Sequence, residues 1–124
     1  MRKLFSYSSI LGILSQTYKN FELIIINNGS TDNTGKIIKK FKDKRIRFFH
    51  FKKNIGRTKC LNFGLKRCKG DFIAIQDSDD TSKKNRIKIL LNQFLKDENL
   101  GLVASNYDII NESDKIVKKV NIKD

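Results

Sequence analysis

Short apolar runs that alternate with helical periodicities constrain the fold of this chain more than any other feature of its sequence. Residues 21–26 (Phe-Glu-Leu-Ile-Ile-Ile), 46–51, 71–76 (Asp-Phe-Ile-Ala-Ile-Gln) and 100–109 are typical of strands. Residues 4–15, and three apolar faces that begin at Thr34, Leu61 and Ile87, predict helices before and between those strands. This alternation predicts an α/β domain with a mostly parallel sheet and right-handed crossovers.

The length and composition favour one folded domain over residues 1–124. Hydrophobic residues make up 39% of the chain and charged residues 31%, which is too apolar for a disordered protein. No apolar run reaches the length of a membrane span. The Lys-rich residues 111–124 predict an edge strand or a loose tail. Cys60 and Cys68 are too few for a disulfide framework, so we expect free thiols in a reducing cytoplasm.

The formal charge of +13, from 26 Lys and Arg against 13 Asp and Glu, suits a polyanionic partner. Nucleic acid, an anionic membrane surface and a phosphorylated ligand all qualify. The excess of Lys and the absence of Pro are equally typical of coding bias in an AT-rich genome, so the charge alone does not choose. No nucleic-acid-binding motif is present, and we therefore expect no nucleic acid partner.

Two polar clusters follow predicted strands, where open parallel sheets bind their ligands. Asp77-Ser78-Asp79-Asp80 offers carboxylates that suit Mg²⁺ or Mn²⁺, which takes one or two carboxylates together with substrate phosphates. The alternative is that Asp79 or Asp80 only caps the next helix, and the motif by itself leaves both open.

The second cluster is Asn27-Asn28-Gly29-Ser30-Thr31-Asp32. Asn-Gly is also a hairpin signal, but the helical pattern that follows opposes a hairpin. His50 is the one histidine, and no nucleophile motif accompanies it, so we interpret it as a strand residue.

Taken together, the ordered segments 13–18, 22–32, 54–65, 69–74 and 77–80 resemble the amino-terminal half of family-2 glycosyltransferases, over roughly residues 10–112. The resemblance implies a partial GT-A (Rossmann-like) three-layer fold that binds a nucleotide-diphosphate sugar, most often a UDP-sugar, with Mn²⁺ or Mg²⁺. It implies Asp77 and Asp79 as metal ligands. It also implies a nucleotide-sugar-binding set: Asn27, Asn28, Ser30, Asp32, Arg57 and Asp77.

Asn28 stands where the family usually has an acidic residue beside the base, and Asn27 where Asp is common. An Asn carbonyl can still accept a hydrogen bond from uracil, but it carries no charge and also donates. The base that the site prefers is therefore open.

Two pieces of such an enzyme have no counterpart in this sequence. Family members begin with a central strand that ends in a polar motif, whereas Met1 leads almost directly into the first helix. We therefore expect that first strand to be missing. The alternatives are a split or decayed gene product, a misplaced start and stop, and a chain that pairs with a second polypeptide to complete the fold. The family's catalytic base is a carboxylate in the other half, so the catalytic residue is unknown and expected outside this chain.

The function implied by the resemblance is the donor-binding part of a metal-dependent glycosyltransferase, incomplete for catalysis alone. Its acceptor would be a glycan or a lipid-linked glycan in surface polysaccharide synthesis. We expect it in the cytoplasm, at the inner face of the membrane with peripheral contact. The alternative is a catalytically inactive nucleotide-binding remnant or an interaction module.

Overall fold

The structure, a computed structural model, describes the backbone of residues 2–122 and the side chains of residues 7–122. The described chain divides into two compact units, one up to Ile87 and one from Lys88 onward. The elements in chain order are α1 (Arg2–Leu14), β1 (Leu23–Asn28), α2 (Thr34–Ile38), β2 (Ile46–Phe51), α3 (Arg57–Leu65), α4 (Arg86–Lys96), β3 (Tyr107–Ile110) and β4 (Ile116–Val120). The predicted α/β class is confirmed. No helix within residues 2–122 has the length and apolar character needed to cross a bilayer.

A two-stranded parallel sheet organises the first unit. β1 pairs with β2 in a register that places Leu23 opposite Ile46 and Asn28 opposite Phe51. Parallel strands need a crossover connection, and α2 lies within the connection between them. Because side chains alternate along a strand, consecutive residues of β1 face opposite sides of this sheet.

α3 covers one face of the sheet. A Cβ added at Gly64 would lie 3.2 Å from Ile26 Cδ1, so glycine lets the helix approach the strand closely. The ring of Phe63 packs edge-on against Phe49 and Phe51, with centroids 5.2 and 4.9 Å away. Even-numbered residues of β1 and odd-numbered residues of β2 therefore point toward α3.

α2 lies on the side of the opposite face, where Gly35 lies against Asn27. Ile38 of α2 and Ile10 and Ile13 of α1 are the most deeply buried aliphatic side chains described. The helix ends at Ile38, three residues before the end of the predicted apolar face at Phe41.

Two groups of charged side chains form contacts just before the strands begin. Glu22 accepts hydrogen bonds from the Arg47 guanidinium and, at 2.5 Å, from Lys69 N–H, and these contacts lower the pKa of the Glu22 carboxyl. Asp43 accepts from Arg45, whose Nη2 lies 2.7 Å from Asp43 Oδ2, and this lowers the pKa of Asp43 to about 2.

The strand predicted at residues 71–76 is wrong, because that segment has no strand structure. A strand persists only when a neighbour accepts and donates its backbone hydrogen bonds, and no described strand pairs with this segment. Phe72, Ile73 and Ile75 remain about half exposed as a result. The segment has the alternating apolar pattern of a strand, but no described strand lies beside it to form the hydrogen bonds.

The second unit carries an antiparallel hairpin instead of the long strand predicted over 100–109, which is also wrong. Only Tyr107–Ile110 form β3, paired with β4 across a turn in which Asp114 has a φ of 57°. β4 occupies part of the predicted edge strand or tail at 111–124, and positions 123 and 124 lie outside the described residues. The predicted helix from Ile87 exists as α4.

Candidate functional site

Asn28 holds the loop that leads into α3. Its Nδ2 donates to Asn54 Oδ1 at 2.9 Å, and its Oδ1 accepts from Ile55 N–H at 2.9 Å. Asn54 Oδ1 also accepts from Gly56 N–H at 2.8 Å. The last residue of β1 therefore fixes the backbone that precedes Arg57.

Gly29 lets this loop pass close to the end of β1. Its φ is 75°, and a Cβ there would lie 2.5 Å from Asn54 N and 2.6 Å from the Lys53 carbonyl carbon. Both the left-handed backbone and the backbone contact exclude a larger residue. The Asn-Gly pair therefore makes a strand-to-helix turn and not a hairpin.

Arg57 and Asp77 meet at the same end of the sheet. Arg57 Nη2 donates to Asp77 Oδ1 at 2.9 Å and to Oδ2 at 3.2 Å, with both side chains more than half exposed. Ser9 Oγ of α1 donates to the Asp77 carbonyl at 3.1 Å, which holds the acidic segment against the first helix. An exposed ion pair of this kind contributes little stability, so it can open toward a ligand.

The acidic segment concentrates negative charge next to that ion pair. The pKa of the Asp80 carboxyl is raised, first by burial and then by the charges of Asp79 and Asp77, with Arg86 opposing the shift. No group of three or more His, Cys, Asp or Glu side chains in the described part of the chain is arranged to hold a metal. The metal-ligand roles expected for Asp77 and Asp79 therefore stay a prediction.

Gln16 positions the chain after the acidic segment, a role that the sequence did not reveal. Its side chain is fully buried. Nε2 donates to Lys83 O at 2.8 Å and to Gly12 O at 3.1 Å, while Oε1 accepts from Ile87 N–H at 3.0 Å. Ile87 lies in the first turn of α4, where N–H groups have no partner within the helix, so Gln16 caps that helix from the segment that follows α1. A polar residue just beyond an apolar helical face was the only available signal.

The other predicted residues lie on the α2 face. Asn27 is 4% exposed, and its Oδ1 accepts from Ser30 N–H at 2.9 Å. Asp32 Oδ1 accepts from Thr34 N–H at 2.9 Å at the start of α2. Alternation along β1 therefore divides the six predicted residues: Asn28, Arg57 and Asp77 come together on the α3 side, and Asn27, Ser30 and Asp32 lie on the other.

The histidine and the thiols are placed apart from this chemistry. His50 is an exposed residue of β2. Both cysteines are free, and burial raises the pKa of the Cys60 thiol, which makes it a weak nucleophile. Cys68 lies beyond the end of α3.

Comparison with known proteins shows extensive similarity to one family. The model of glycosyl transferase family 2 matches residues 7–122. An uncharacterized glycosyltransferase of Rickettsia bellii is 40% identical over 91% of this chain and 16% of its own length. Glycosyltransferase GlyG of Streptococcus pneumoniae is 40% identical over 82% of this chain and 34% of its own.

A further relative carries a more specific description. The UDP-Glc:alpha-D-GlcNAc-diphosphoundecaprenol beta-1,3-glucosyltransferase WfgD of Escherichia coli is 35% identical over 91% of this chain and 44% of its own length. The chain thus spans less than half of the length of each of these relatives.

Proposed function

This chain belongs to glycosyl transferase family 2, and from that premise we propose that the α3 side of its sheet binds the diphosphate of a nucleotide sugar. The expected donor is a UDP-sugar. The observation that carries the proposal is the Arg57–Asp77 ion pair beside the loop held by Asn28. It joins a cation for phosphate and an oxygen ligand for a metal at the carboxyl end of β1, where parallel sheets bind ligands.

Each side chain has a distinct task in this proposal. Asn28 fixes the backbone before Arg57, and Arg57 turns from Asp77 to a phosphate oxygen when the ligand arrives. Asp77 and Asp79 would hold Mn²⁺ or Mg²⁺, which supplies positive charge to the leaving diphosphate. Asn27 and Ser30 shape the turn after β1 from the other face, as does Asp32.

The acceptor in this proposal is a glycan or lipid-linked glycan, and the pathway is the synthesis of surface polysaccharide. The description of WfgD, which names a lipid diphosphate acceptor and UDP-Glc, supports this class. The catalytic base would come from protein beyond these residues or from a second polypeptide. The expected location of this activity, at the inner face of the membrane, stays a prediction.

A thermal unfolding scan of the 124-residue chain tests donor binding. We expect the midpoint to rise by a few degrees with UDP and Mn²⁺ together and to change little with either alone, because a ligand of the folded state stabilises it by mass action. Asp79→Ala and Arg57→Gln should remove the shift. Asp71→Asn is the matched control, since it neutralises an exposed carboxylate outside the acidic segment.

Each outcome of the scan has a definite meaning. A shift that persists in Asp79→Ala and Arg57→Gln would refute the proposed site. A shift that depends on both residues, without sugar transfer to a lipid-linked acceptor by a longer protein that contains these residues, would favour the nucleotide-binding module instead.

A further inference from the structure

A cavity of about 190 Å³ lies on the α2 face of the sheet. Asn27 and His50, which are opposite each other in the β1–β2 register, contribute its strand side. Ser30, Lys36 and Lys39 contribute the side formed by the turn and α2. The cavity is therefore separated by the sheet itself from the face that carries Asn28 and Arg57.

Asn27, which lines this cavity, has an unused hydrogen-bond donor. Its Oδ1 accepts from Ser30 N–H, which fixes the orientation of the amide. Its Nδ2 is buried and has no acceptor among the described residues. A buried donor without an acceptor is unfavourable, so this group calls for an acceptor atom from a ligand.

Gly35 lies directly beside that donor. A Cβ added at Gly35 would stand 3.3 Å from Asn27 Nδ2, so glycine keeps a side chain away from the amide. The volume of the cavity is more than ten times the ~10–15 Å³ that a single water needs, so a tetrahedral oxyanion fits inside it.

The charged side chains that line the cavity favour an anionic ligand. Lys36 and Lys39 bring two ammonium groups, against one carboxylate from Asp32 that already accepts from Thr34 N–H. We propose that this cavity binds a phosphoryl group, with Asn27 Nδ2 donating to one phosphate oxygen and the two lysines neutralising the charge. The site is independent of the donor site proposed on the α3 side.

Titration of the ¹⁵N-labelled chain with inorganic phosphate, followed by NMR, tests this proposal. The Asn27 side-chain amide and the Gly35 backbone amide should shift together and saturate, and equimolar chloride should have little effect. The Asp79→Ala and Arg57→Gln variants should bind phosphate with unchanged affinity. A large loss of phosphate affinity in either variant, or the absence of a saturable shift at these two groups, would overturn the proposal.

Variants separate the cavity from the general positive charge of the chain. Lys36→Gln and Lys39→Gln should each weaken phosphate binding by about fivefold, the value expected for losing one charge contact of about 4 Å in water. Lys40→Gln removes an equally exposed charge that does not line the cavity and should have no such effect. Asn27→Asp keeps the acceptor for Ser30 N–H and removes the donor, so its binding should be lost. Equal weakening by all three lysine variants would contradict the proposal.

A second arm identifies the source of the phosphoryl group. Vesicles of phosphatidylcholine with and without phosphatidic acid should bind the chain differently if the phosphate belongs to a lipid headgroup, and Lys39→Gln should reduce that difference. Phosphate binding by NMR without any vesicle preference would assign the cavity to a soluble phosphate. Vesicle binding that neither responds to Lys39→Gln nor competes with inorganic phosphate would overturn the role of the cavity.

Discussion

Replacement of Gln16 by leucine should destabilise the chain strongly, although the volume of the side chain hardly changes. The variant Gln16→Leu keeps a similar volume but removes two donated hydrogen bonds and one accepted one. Gly12 O keeps its bond from Ser15 Oγ, and Lys83 O keeps its bond from Arg86 N–H. Ile87 N–H keeps no acceptor among the described residues.

The magnitude follows from those three contacts. An unsatisfied buried N–H costs about 1–3 kcal/mol, and each of the two other bonds contributes about 0.5–1.5 kcal/mol. The sum is about 2–6 kcal/mol, part of which the added apolar burial of leucine offsets. We therefore expect the free energy of unfolding to fall by about 3 kcal/mol.

Urea denaturation followed by circular dichroism measures this loss, and amide hydrogen exchange at Ile87 locates it. Ser15→Ala is the matched control, because Ser15 Oγ also donates to Gly12 O but is exposed. It should cost less than about 0.5 kcal/mol. A Gln16→Leu variant that loses no more than Ser15→Ala, or that leaves Ile87 protected, would refute the reasoning.

A charged variant adds a pH signature. Gln16→Glu keeps the acceptor for Ile87 N–H but can donate to Lys83 O only when the new carboxyl is protonated. Burial raises the pKa of that carboxyl above its unfolded value of about 4.3. Its contribution to stability is therefore full below that value and lost as pH rises through the folded pKa. Stability that is independent of pH in this variant would contradict the assigned hydrogen bonds.

Three further results are expected. Because the neighbouring guanidinium lowers the pKa of Asp43 to about 2, its stabilising effect is present above pH ~3.8 and lost toward pH 2, so Asp43→Asn should flatten the acid unfolding profile between those values. Gly29→Ala should cost at least about 2 kcal/mol in urea denaturation, from backbone strain and the contact with the following loop, whereas Gly101→Ala, which meets no atom within 4 Å, should be nearly neutral. A disulfide reagent should modify Cys68 well before Cys60, whose thiol is buried with a raised pKa, and equal rates would contradict that placement.

Local patterns predicted the elements from β1 to α3 well, because these elements find their partners within the same stretch of chain. The apolar run at 46–51 became β2 with the same bounds, since β1 lies beside it in parallel register. The run at 71–76 has an equally good pattern and no strand. Periodicity reports what a segment can bury, whereas pairing depends on a neighbour that no local pattern specifies.

The candidate site was predictable to a similar extent. The resemblance to the family put Asn28, Arg57 and Asp77 in one binding set, and in the structure Arg57 contacts Asp77 while Asn28 holds the loop before Arg57. The period of two in a strand also implied that Asn27 and Asn28 face opposite sides, although a shared motif concealed it. The cap that Gln16 provides for α4 was beyond sequence reasoning, because a glutamine in a helix end does not disclose its partners 67 and 71 residues away.

The segment at 71–76, which pairs with no described strand, should also affect how copies of the chain behave toward one another. Its half-exposed Phe72, Ile73 and Ile75 form an apolar surface on which another copy of the chain could associate. The formal charge of +13 opposes such encounters at low ionic strength, because the copies repel. Salt shortens the reach of that repulsion to about 10 Å at 0.1 M, so the colloidal stability of the chain is electrostatic in origin. Its solubility should therefore fall as salt is added.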